Sequence, residues 1–372
     1  MMFGVTQEPI QPLSISDKQS TDDMRDGEDI QKLPDKLGQV IAHIHTVIFE
    51  TYSEYDTVSI QKQKNHKRFA ILAVFCGSVA IILSILQVFL RSLSIEIDIV
   101  DIAFFNIFEL VSFSIAVIAV CVAIASQQHK GWLKKRFLAE RCRSLKFRAL
   151  IHPSLWCASK RPWNDRFVQW KKQFNEKVTS LKKVENASIE KYVLSDEIYP
   201  SSYDIADCPF EVPYLKSVVD YYQRKRLTSQ ISYFKSRALY FESINTSTVW
   251  IPNFCFFASV VCVAGHFGID FFSKNPNLQL ISEVLLLLTL LFPIFAIGAR
   301  TLRSSIEVSR SAALYQSKSK ALEHFNVQLN EELAKDIIQW AEILKILWQC
   351  ENFFENENRE WLRMMNEAEW FI

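Results

Sequence analysis

Glycine is scarce in this chain, whose 372 residues include only 8 of them. None forms G-x-G-x-x-G or G-x-x-x-x-G-K, the loops whose backbone N–H groups bind phosphate, so Rossmann and P-loop nucleotide enzymes are disfavoured. An excess of one charge sign is missing too, because 42 Lys and Arg balance 41 Asp and Glu to a net charge of +1. We therefore predict no nucleic-acid partner, since such binding depends on clustered positive charge.

Cysteine motifs are also missing. The chain has no C-x-x-C and no cysteine–histidine spacing of the zinc-binding kind, so we predict neither a metal site nor another cofactor. Half of the 8 cysteines lie inside apolar runs, where a thiol acts as a small hydrophobic group, and we expect the whole set to be reduced. No Ser-His-Asp or Cys-His grouping has the sequence context of a nucleophile, which disfavours an enzyme.

The most prominent feature of the sequence is a set of four long apolar runs. Phe69 to Leu90 has 22 residues without a charge, and as a helix it reaches about 33 Å, enough for a hydrocarbon core of about 30 Å. Ile102 to Ala125 carries one acid, Glu109, whose cost its apolar residues outweigh. Val249 to Phe272 is interrupted by proline and polar residues, and Leu280 to Ala299 is strongly apolar. The sequence therefore predicts four transmembrane helices, arranged in two hairpins.

Basic residues indicate the orientation of these spans. They cluster before the first span, after the second and after the fourth, whereas the short loops between paired spans hold only Arg91 and Lys274. By the positive-inside rule, both termini and the long middle segment are predicted to be cytoplasmic.

The remaining segments predict the domain organisation. We expect a disordered tail at 1–35, a juxtamembrane helix and first hairpin at 36–126, a cytoplasmic helical region at 127–248, a second hairpin at 249–299 and C-terminal cytoplasmic helices at 300–372. The first span should continue an upstream helix, and the second should extend to about Pro153. The predicted class is an all-α membrane protein whose helices extend into a cytoplasmic helical bundle. Its two halves form a weak two-span repeat.

Ionisable residues inside the spans are candidates for function. Glu109 and His266 lie at similar depths, about 10 Å and about 9 Å from the outer ends, while Asp270 and Glu283 are shallower. With Asn106 they are predicted either to line a cation pathway or to clamp the helices together. Asp270 and Glu283 have a further alternative, which is to reach the membrane interface.

Two other features of the sequence predict contacts, one with lipid or a ligand and one between helices. The basic helix from Lys134 to Arg148 is predicted to bind anionic lipid or a phosphorylated messenger, or only to fix the topology. Small residues four apart, at Ala73 and Gly77 and at Ala119 and Ala123, favour close helix contact and a homo-oligomer.

One motif follows the second span. Trp132, Arg136, Glu140 and Arg141 belong to a helix that resembles the W-x-x-x-R-x-x-A-E-x-[LC]-R helix of prokaryotic SLATT-type proteins, the SMODS and SLOG-associating transmembrane effectors. The stretch YQRKRLTSQISYF from Tyr222, together with Glu360 and Trp361, is similar to patterns in their longer four-span relatives. The resemblance covers roughly residues 50 to 365.

The resemblance implies a membrane effector of a nucleotide-signal-dependent defence system in the inner membrane, which oligomerises and breaches the bilayer when a separate nucleotide-sensing or nucleotide-producing protein responds to infection. It implies that Trp132, Arg136, Glu140 and Arg141 form a juxtamembrane coupling helix, and that Glu360 and Trp361 belong to a terminal packing helix. Pairing of Glu140 with Arg136 within the helix explains that acid equally well. A constitutive small-ion or solute transporter and a non-conducting membrane scaffold remain the alternative functions.

Overall fold

The computed structural model describes residues 23–24, 26–92, 99–157, 161–185, 210–272, 276–305 and 308–367. Within these residues the chain is helical and contains no β-strand, which confirms the predicted all-α class. A 3-10 helix, Gly27–Lys32, comes first, and a π-helical segment, Gln223–Thr228, joins α6 to α7. The α-helices are α1 (Asp35–Ser92), α2 (Ile99–Ala125), α3 (Gln128–Leu150), α4 (Pro153–Trp156), α5 (Trp163–Val184), α6 (Val212–Tyr222), α7 (Ser229–Phe272), α8 (Pro276–Ser305), α9 (Val308–Leu333) and α10 (Trp340–Glu367).

The chain forms two compact units. The first comprises Met1–Asp56, Phe137–Tyr233 and Ser319–Trp361, and the second comprises Thr57–Arg136, Phe234–Lys318 and Leu362–Ile372. Long helices such as α1 and α7 contribute residues to both units. The units therefore divide the chain within helices, whereas the predicted boundaries follow the ends of the spans.

Apolar stripes at helical spacing build the core of the first unit. On α1 the buried residues Leu37, Ile41, Ile44 and Ile48 recur every three or four positions. Similar stripes lie on α5, with Trp170, Phe174, Val178 and Leu181, and on α10, with Ile343, Leu344, Leu347 and Trp348. Each stripe places one face of its helix in the core.

The second unit contains the apolar stretches of four long helices. Four helices are long and apolar enough to cross a membrane: Asp35–Leu90, Phe104–Ala125, Val212–Phe271 and Leu278–Thr301. The most apolar window of each is at most 17% buried, so its large side chains face outward. Exposed apolar surface of this extent is normally covered by lipid. The four helices therefore indicate a multi-pass membrane protein, in agreement with the four predicted spans.

The sequence predicts that the first and second spans each continue into a helix outside the membrane, and the structure confirms only the first of these predictions. The first span does continue an upstream helix, because α1 is unbroken from Asp35 to Ser92. The predicted extension of the second span to Pro153 is wrong, since α2 ends at Ala125 and a turn separates it from α3. Gln127 in that turn has a φ of 46°, a left-handed conformation that a right-handed helix does not contain.

The third span is unbroken despite Pro252, which lies inside α7. A proline removes one backbone hydrogen bond from a helix, but transmembrane helices tolerate it where neighbouring groups satisfy the freed carbonyl. The interruption expected from the sequence therefore does not divide the helix.

The N-terminal tail also differs from its prediction. Residues 1–22 lie outside the described residues, but Asp23, Met24 and Asp26 are buried and Gly27–Lys32 is helical. The last third of the predicted disordered segment therefore belongs to the first unit.

The cysteines follow the prediction with one exception. Six of them are free: Cys76, Cys121, Cys142, Cys255, Cys262 and Cys350. Cys157 is disulfide-bonded, so the expectation that all are reduced is wrong at this position. Cys208 lies outside the described residues.

Candidate functional site

Glu109 joins two of the apolar helices. It lies on α2, and its Oε1 accepts a hydrogen bond of 2.5 Å from Ser84 Oγ on α1. Its Oε2 accepts a second bond, of 3.0 Å, from Gln87 Nε2. Ser84 and Gln87 are three residues apart and share one face of α1, so both can reach the same carboxylate. Both carboxylate oxygens thus have partners within the apolar region.

A second polar group joins α7 and α8. His266 Nδ1 lies 2.7 Å from Ser282 Oγ, and Ser282 Oγ donates a 2.6 Å hydrogen bond to Asp270 Oδ1. His266 Nε2 lies 3.6 Å from Asp270 Oδ2. Ser282 is 1% exposed. The three residues therefore form a hydrogen-bonded clamp between α7 and α8.

The predicted polar layer is only partly assembled. The structure brings Asp270 to His266, but the contacts of Glu109 are with Ser84 and Gln87, and no described contact joins it to His266. Asn106 is exposed. Glu283 Oε2 is shielded and has no hydrogen-bond partner among the described residues.

The motif after the second span is divided between the two units. In the second unit, Trp132 is buried and its ring lies 5.7 Å from that of His129. Arg136 is half-buried in the same unit. In the first unit, Glu140 Oε1 accepts a 2.6 Å bond from Arg143 Nη1, and the buried Arg141 pairs with Glu355. Glu140 therefore pairs with Arg143 one turn along its own helix, and Trp132 and Arg141 are buried. These contacts give the residues structural roles.

The two residues near the C-terminus that contribute to the resemblance, Glu360 and Trp361, lie on α10. Glu360 is exposed and Trp361 is half-buried. Neither environment by itself indicates a catalytic or binding role, and both fit a helix that packs against its neighbours.

Sequence reasoning missed a group of buried charges in the first unit, which we call the buried ionic cluster. Arg226 donates from Nε to Glu351 Oε1 at 2.9 Å and from Nη1 to Asp23 Oδ2 at 3.0 Å. Lys146 Nζ lies 2.7 Å from Asp26 Oδ2. Its members, five of which are at most 2% exposed, are Asp23, Asp26, Arg143, Lys146, Arg226 and Glu351.

The π-helical segment helps to build this cluster. Lys225, Arg226 and Leu227 are consecutive and all buried. A π-helical turn adds a residue and rotates neighbouring side chains, and such turns are frequent at functional sites. This segment lies within the stretch YQRKRLTSQISYF that carries part of the family resemblance.

A second set of arginines surrounds Glu355. Its Oε1 contacts Arg141 at 3.3 Å and Arg359 at 2.7 Å, and its Oε2 contacts Arg148 at 2.8 Å. Arg148 is 1% exposed, and its Nε and Nη1 have no hydrogen-bond partner among the described residues. Desolvation by burial, together with repulsion from Arg359 and Arg148, lowers the pKa of Arg141, although Glu355 opposes the shift.

Burying this many charges is costly unless every group is paired and hydrogen-bonded. The pKa of Lys146 is lowered by burial, while its contact with Asp26 acts in the opposite direction. A local sequence signal for the cluster does exist: the residues from Ser144 to Ile151 are all buried, yet they include Lys146 and Arg148. Two cations within such an apolar stretch require partners elsewhere in the chain.

No group of three or more His, Cys, Asp and Glu able to hold a metal ion occurs in the part of the chain that the structure describes. Comparison with family models, curated proteins and solved structures finds no match to this chain.

Proposed function

We propose that this protein is a membrane effector of a prokaryotic nucleotide-signal-dependent defence system, which forms a pore or perturbs the inner membrane on activation. In this proposal both termini are cytoplasmic, the chain forms a homo-oligomer, and a separate nucleotide-sensing or nucleotide-producing protein supplies the signal. The resemblance of the helix after the second span, and of the stretch from Tyr222, supports the family and the signalling system.

The observation that carries the membrane-breaching role is the carboxylate of Glu109. It lies in an otherwise apolar helix and is held by two donors of the neighbouring span. Ionisable groups inside a membrane are costly and are usually retained for ion passage, proton transfer or gating. A closed state in which the carboxylate is satisfied and an open state in which it faces water fit this arrangement.

The mechanism we propose is a shift between those two states. A signal received by the first unit changes the packing of helices that also contribute to the second unit, such as α1 and α7. The spans then separate at the polar contacts of Glu109 and at the clamp of His266, Asp270 and Ser282. The polar groups freed in this way line the opening.

The test measures membrane potential with a voltage-sensitive dye, with and without phage challenge. Glu109→Gln and His266→Ala are expected to alter the inducible depolarisation at unchanged protein levels. Ser259→Ala is the matched control, because Ser259 Oγ makes a 3.1 Å bond to Thr289 O on the neighbouring helix and carries no charge. If all three variants depolarise like the parent protein, the polar groups are clamps and the pathway lies elsewhere.

The transporter alternative predicts transport without a trigger. Its best support in the sequence was the weak repeat and the interrupted third span, but α7 is continuous through Pro252. The scaffold alternative predicts no dye response on overexpression together with a stable captured partner. Both outcomes differ from depolarisation that requires a signal.

A further inference from the structure

Side-chain contacts define how α7 and α8 lie against each other in the second unit. Arg303 Nη2 on α8 donates a 2.8 Å hydrogen bond to Asn245 Oδ1 on α7. Nearer the other end of the pair, Ser259 Oγ on α7 donates a 3.1 Å bond to Thr289 O on α8. The same number of residues separates the two contacts on both helices, so α7 and α8 are antiparallel neighbours with a common rise.

A close approach of α8 to α1 relates this pair of helices to the first span. A Cβ at Gly298 of α8 would lie 3.3 Å from Ser78 Oγ and 4.0 Å from Val74 Cγ1 on α1. The contacts between α7 and α8 put Gly298 level with Trp250 of α7. Trp250 is therefore level with the turn of α1 that contains Val74 and Ser78.

The apolar runs of α1 and α7 consequently begin at different levels. The run of α1 begins at Phe69, whereas that of α7 begins at Val249, next to Trp250. Val249 is level with a position about 8 residues beyond Phe69, which is an offset of about 12 Å along the helices. An independent contact agrees with this offset. Arg237 lies close enough to Lys67 for its positive charge to repel the ammonium group, which places the start of the first span beside a part of α7 well before Val249.

The offset also explains why the predicted polar layer is only partly assembled. Glu109 and His266 lie at similar distances from the ends of their own apolar runs, about 10 Å and about 9 Å. Glu109, however, contacts Ser84 of α1, and by the register of the helices His266 lies about 15 Å further along the same direction. The two ionisable groups are therefore too far apart to contact each other.

Beside the start of the first span, α7 presents a polar surface. Four exposed side chains share one face of the helix there, and we name them the polar strip: Glu242, Ser243, Thr246 and Ser247. The hydroxyls of Thr246 and Ser247 donate to the main-chain oxygens of Glu242 and Ser243, at 3.0 Å and 3.1 Å. The Glu242 carboxylate makes no ion pair among the residues that the structure describes. The strip thus offers a carboxylate and hydroxyl oxygens to external hydrogen-bond donors.

A flat bilayer cannot suit both this strip and α1. If the hydrocarbon core begins at the level of Phe69, the polar strip lies inside the core, where polar groups are costly. If the core begins at the level of Val249, the exposed apolar side chains Ile71, Leu72 and Phe75 of α1 face water. A bilayer surface that steps from one level to the other satisfies both helices. The apolar zone common to both is about 14 residues or about 21 Å high, which is less than the core of about 30 Å in a typical bilayer.

We propose that phospholipid headgroups bind along the polar strip and that the hydrocarbon core is locally thinned beside α7. The headgroups belong to the leaflet that surrounds Phe69. Those with an ammonium group fit best, because the Glu242 carboxylate and the hydroxyl oxygens accept hydrogen bonds. Local thinning is one of the ways in which a bilayer accommodates apolar surfaces of unequal height, at a modest cost. The binding concerns the resting protein, so its test is independent of any activating signal or conductance.

The test uses two photoreactive lipids in liposomes that contain the full chain. One is a phosphatidylethanolamine with a diazirine in its headgroup, and the other is the same lipid with the diazirine in an acyl chain. Mass spectrometry of peptides locates the cross-links. We expect the headgroup probe to label residues 242–247 of α7 and the acyl probe to label residues 71–75 of α1, which lie at the same level. The natural chain by itself decides the question, whether or not the variants fold.

Variants of the strip test its chemistry. Ser243→Leu combined with Thr246→Leu makes the strip apolar and should replace headgroup labelling of α7 by acyl labelling. Ser236→Leu adds the same side chain at an exposed position of α7 before the strip, so it is the matched control and should leave the labelling unchanged. Glu242→Gln should lower headgroup labelling by about fivefold, because one charge near a membrane surface contributes about that factor to binding.

Three results would overturn the proposal. Labelling of residues 242–247 by the acyl probe and not by the headgroup probe would place the strip in the hydrocarbon core. Failure of the acyl probe to label residues 71–75 would mean that a flat bilayer surface lies at the level of Val249. The third contrary result is that neither probe labels the strip. A disulfide between two copies of Thr246→Cys would then identify a second chain as its occupant.

Discussion

Arg226 and Glu351 form a two-pronged ion pair inside the first unit. Arg226 Nε lies 2.9 Å from Glu351 Oε1, and its Nη2 lies 3.3 Å from Oε2. The two residues are 1% and 0% exposed, and Tyr222 donates a further bond of 2.8 Å to the same carboxylate. Since water cannot reach either charge, Glu351 depends on Arg226 for compensation, and Arg226 depends on Glu351 together with Asp23.

Loss of one partner should therefore be far more damaging than loss of a surface charge. We expect Glu351→Gln to lower the free energy of unfolding by up to about 3 to 5 kcal/mol, because it removes one of the two described carboxylates that pair with the buried Arg226 and leaves Asp23 as the other. Glu342→Gln on the same helix removes one member of an exposed pair and should cost less than about 0.5 kcal/mol. Denaturant titration of the detergent-solubilised protein measures both. Equal costs would show that the buried pair is not required for stability.

The second prediction concerns two buried thiols. Cys142 and Cys350 are 0% and 1% exposed, and burial raises the pKa of each thiol to about 12. Since the thiolate is the reactive form, both should resist maleimide at neutral pH in the folded protein and react once it is unfolded. Mass spectrometry of labelled peptides before and after denaturation checks this. Rapid labelling of either cysteine in the folded state would contradict its burial.

The third prediction is a pH dependence at His152. Its Nδ1 accepts from Ser154 N at 3.3 Å at the start of α4. Burial, assisted by the charge of Lys177, lowers the pKa of His152 from 6.5 to about 4. The unfolded state therefore takes up a proton between these values while the folded state does not. Stability is highest above pH 6.5 and falls as the pH drops towards 4.

His152→Asn isolates this effect. Asparagine can still cap the helix but does not titrate, so the variant should lose less stability on acidification than the parent protein. Glu176 and Lys177 line the same cleft and remain unchanged in both proteins. Melting temperatures measured from pH 4 to pH 6.5 provide the comparison. Parallel curves would mean that the pKa of His152 is not lowered in the folded state.

The helical fold was predictable because its signals are local. An apolar run of 22 residues, such as Phe69 to Leu90, satisfies the length requirement of a span without reference to any other part of the chain. The turn at Gln127 was missed because neither glycine nor proline marks it. The predicted third span is confirmed as a continuous helix, because a proline weakens a helix without necessarily ending it.

The candidate site was less predictable because its contacts are distant in sequence. Glu109 was identified by its rarity in an apolar run, but its partner Ser84 was not, since serine is common in spans. Asp23 lies in a polar segment whose composition is typical of disorder. Its burial results from arginines 120 and 203 residues away, and no local pattern connects these positions.

The last prediction compares two glycines on α7 that differ only in their surroundings. A Cβ at Gly265 would lie 3.0 Å from Leu285 Cδ1 on α8, whereas a Cβ at Gly268 would meet nothing within 4 Å. Alanine is favoured over glycine in a helix by about 0.8 to 1 kcal/mol, so Gly268→Ala should stabilise the detergent-solubilised protein. Gly265→Ala should gain less or lose stability, because Leu285 must move. Thermal unfolding of the two variants tests this contact, and equal gains would show that α7 and α8 do not approach each other closely at Gly265.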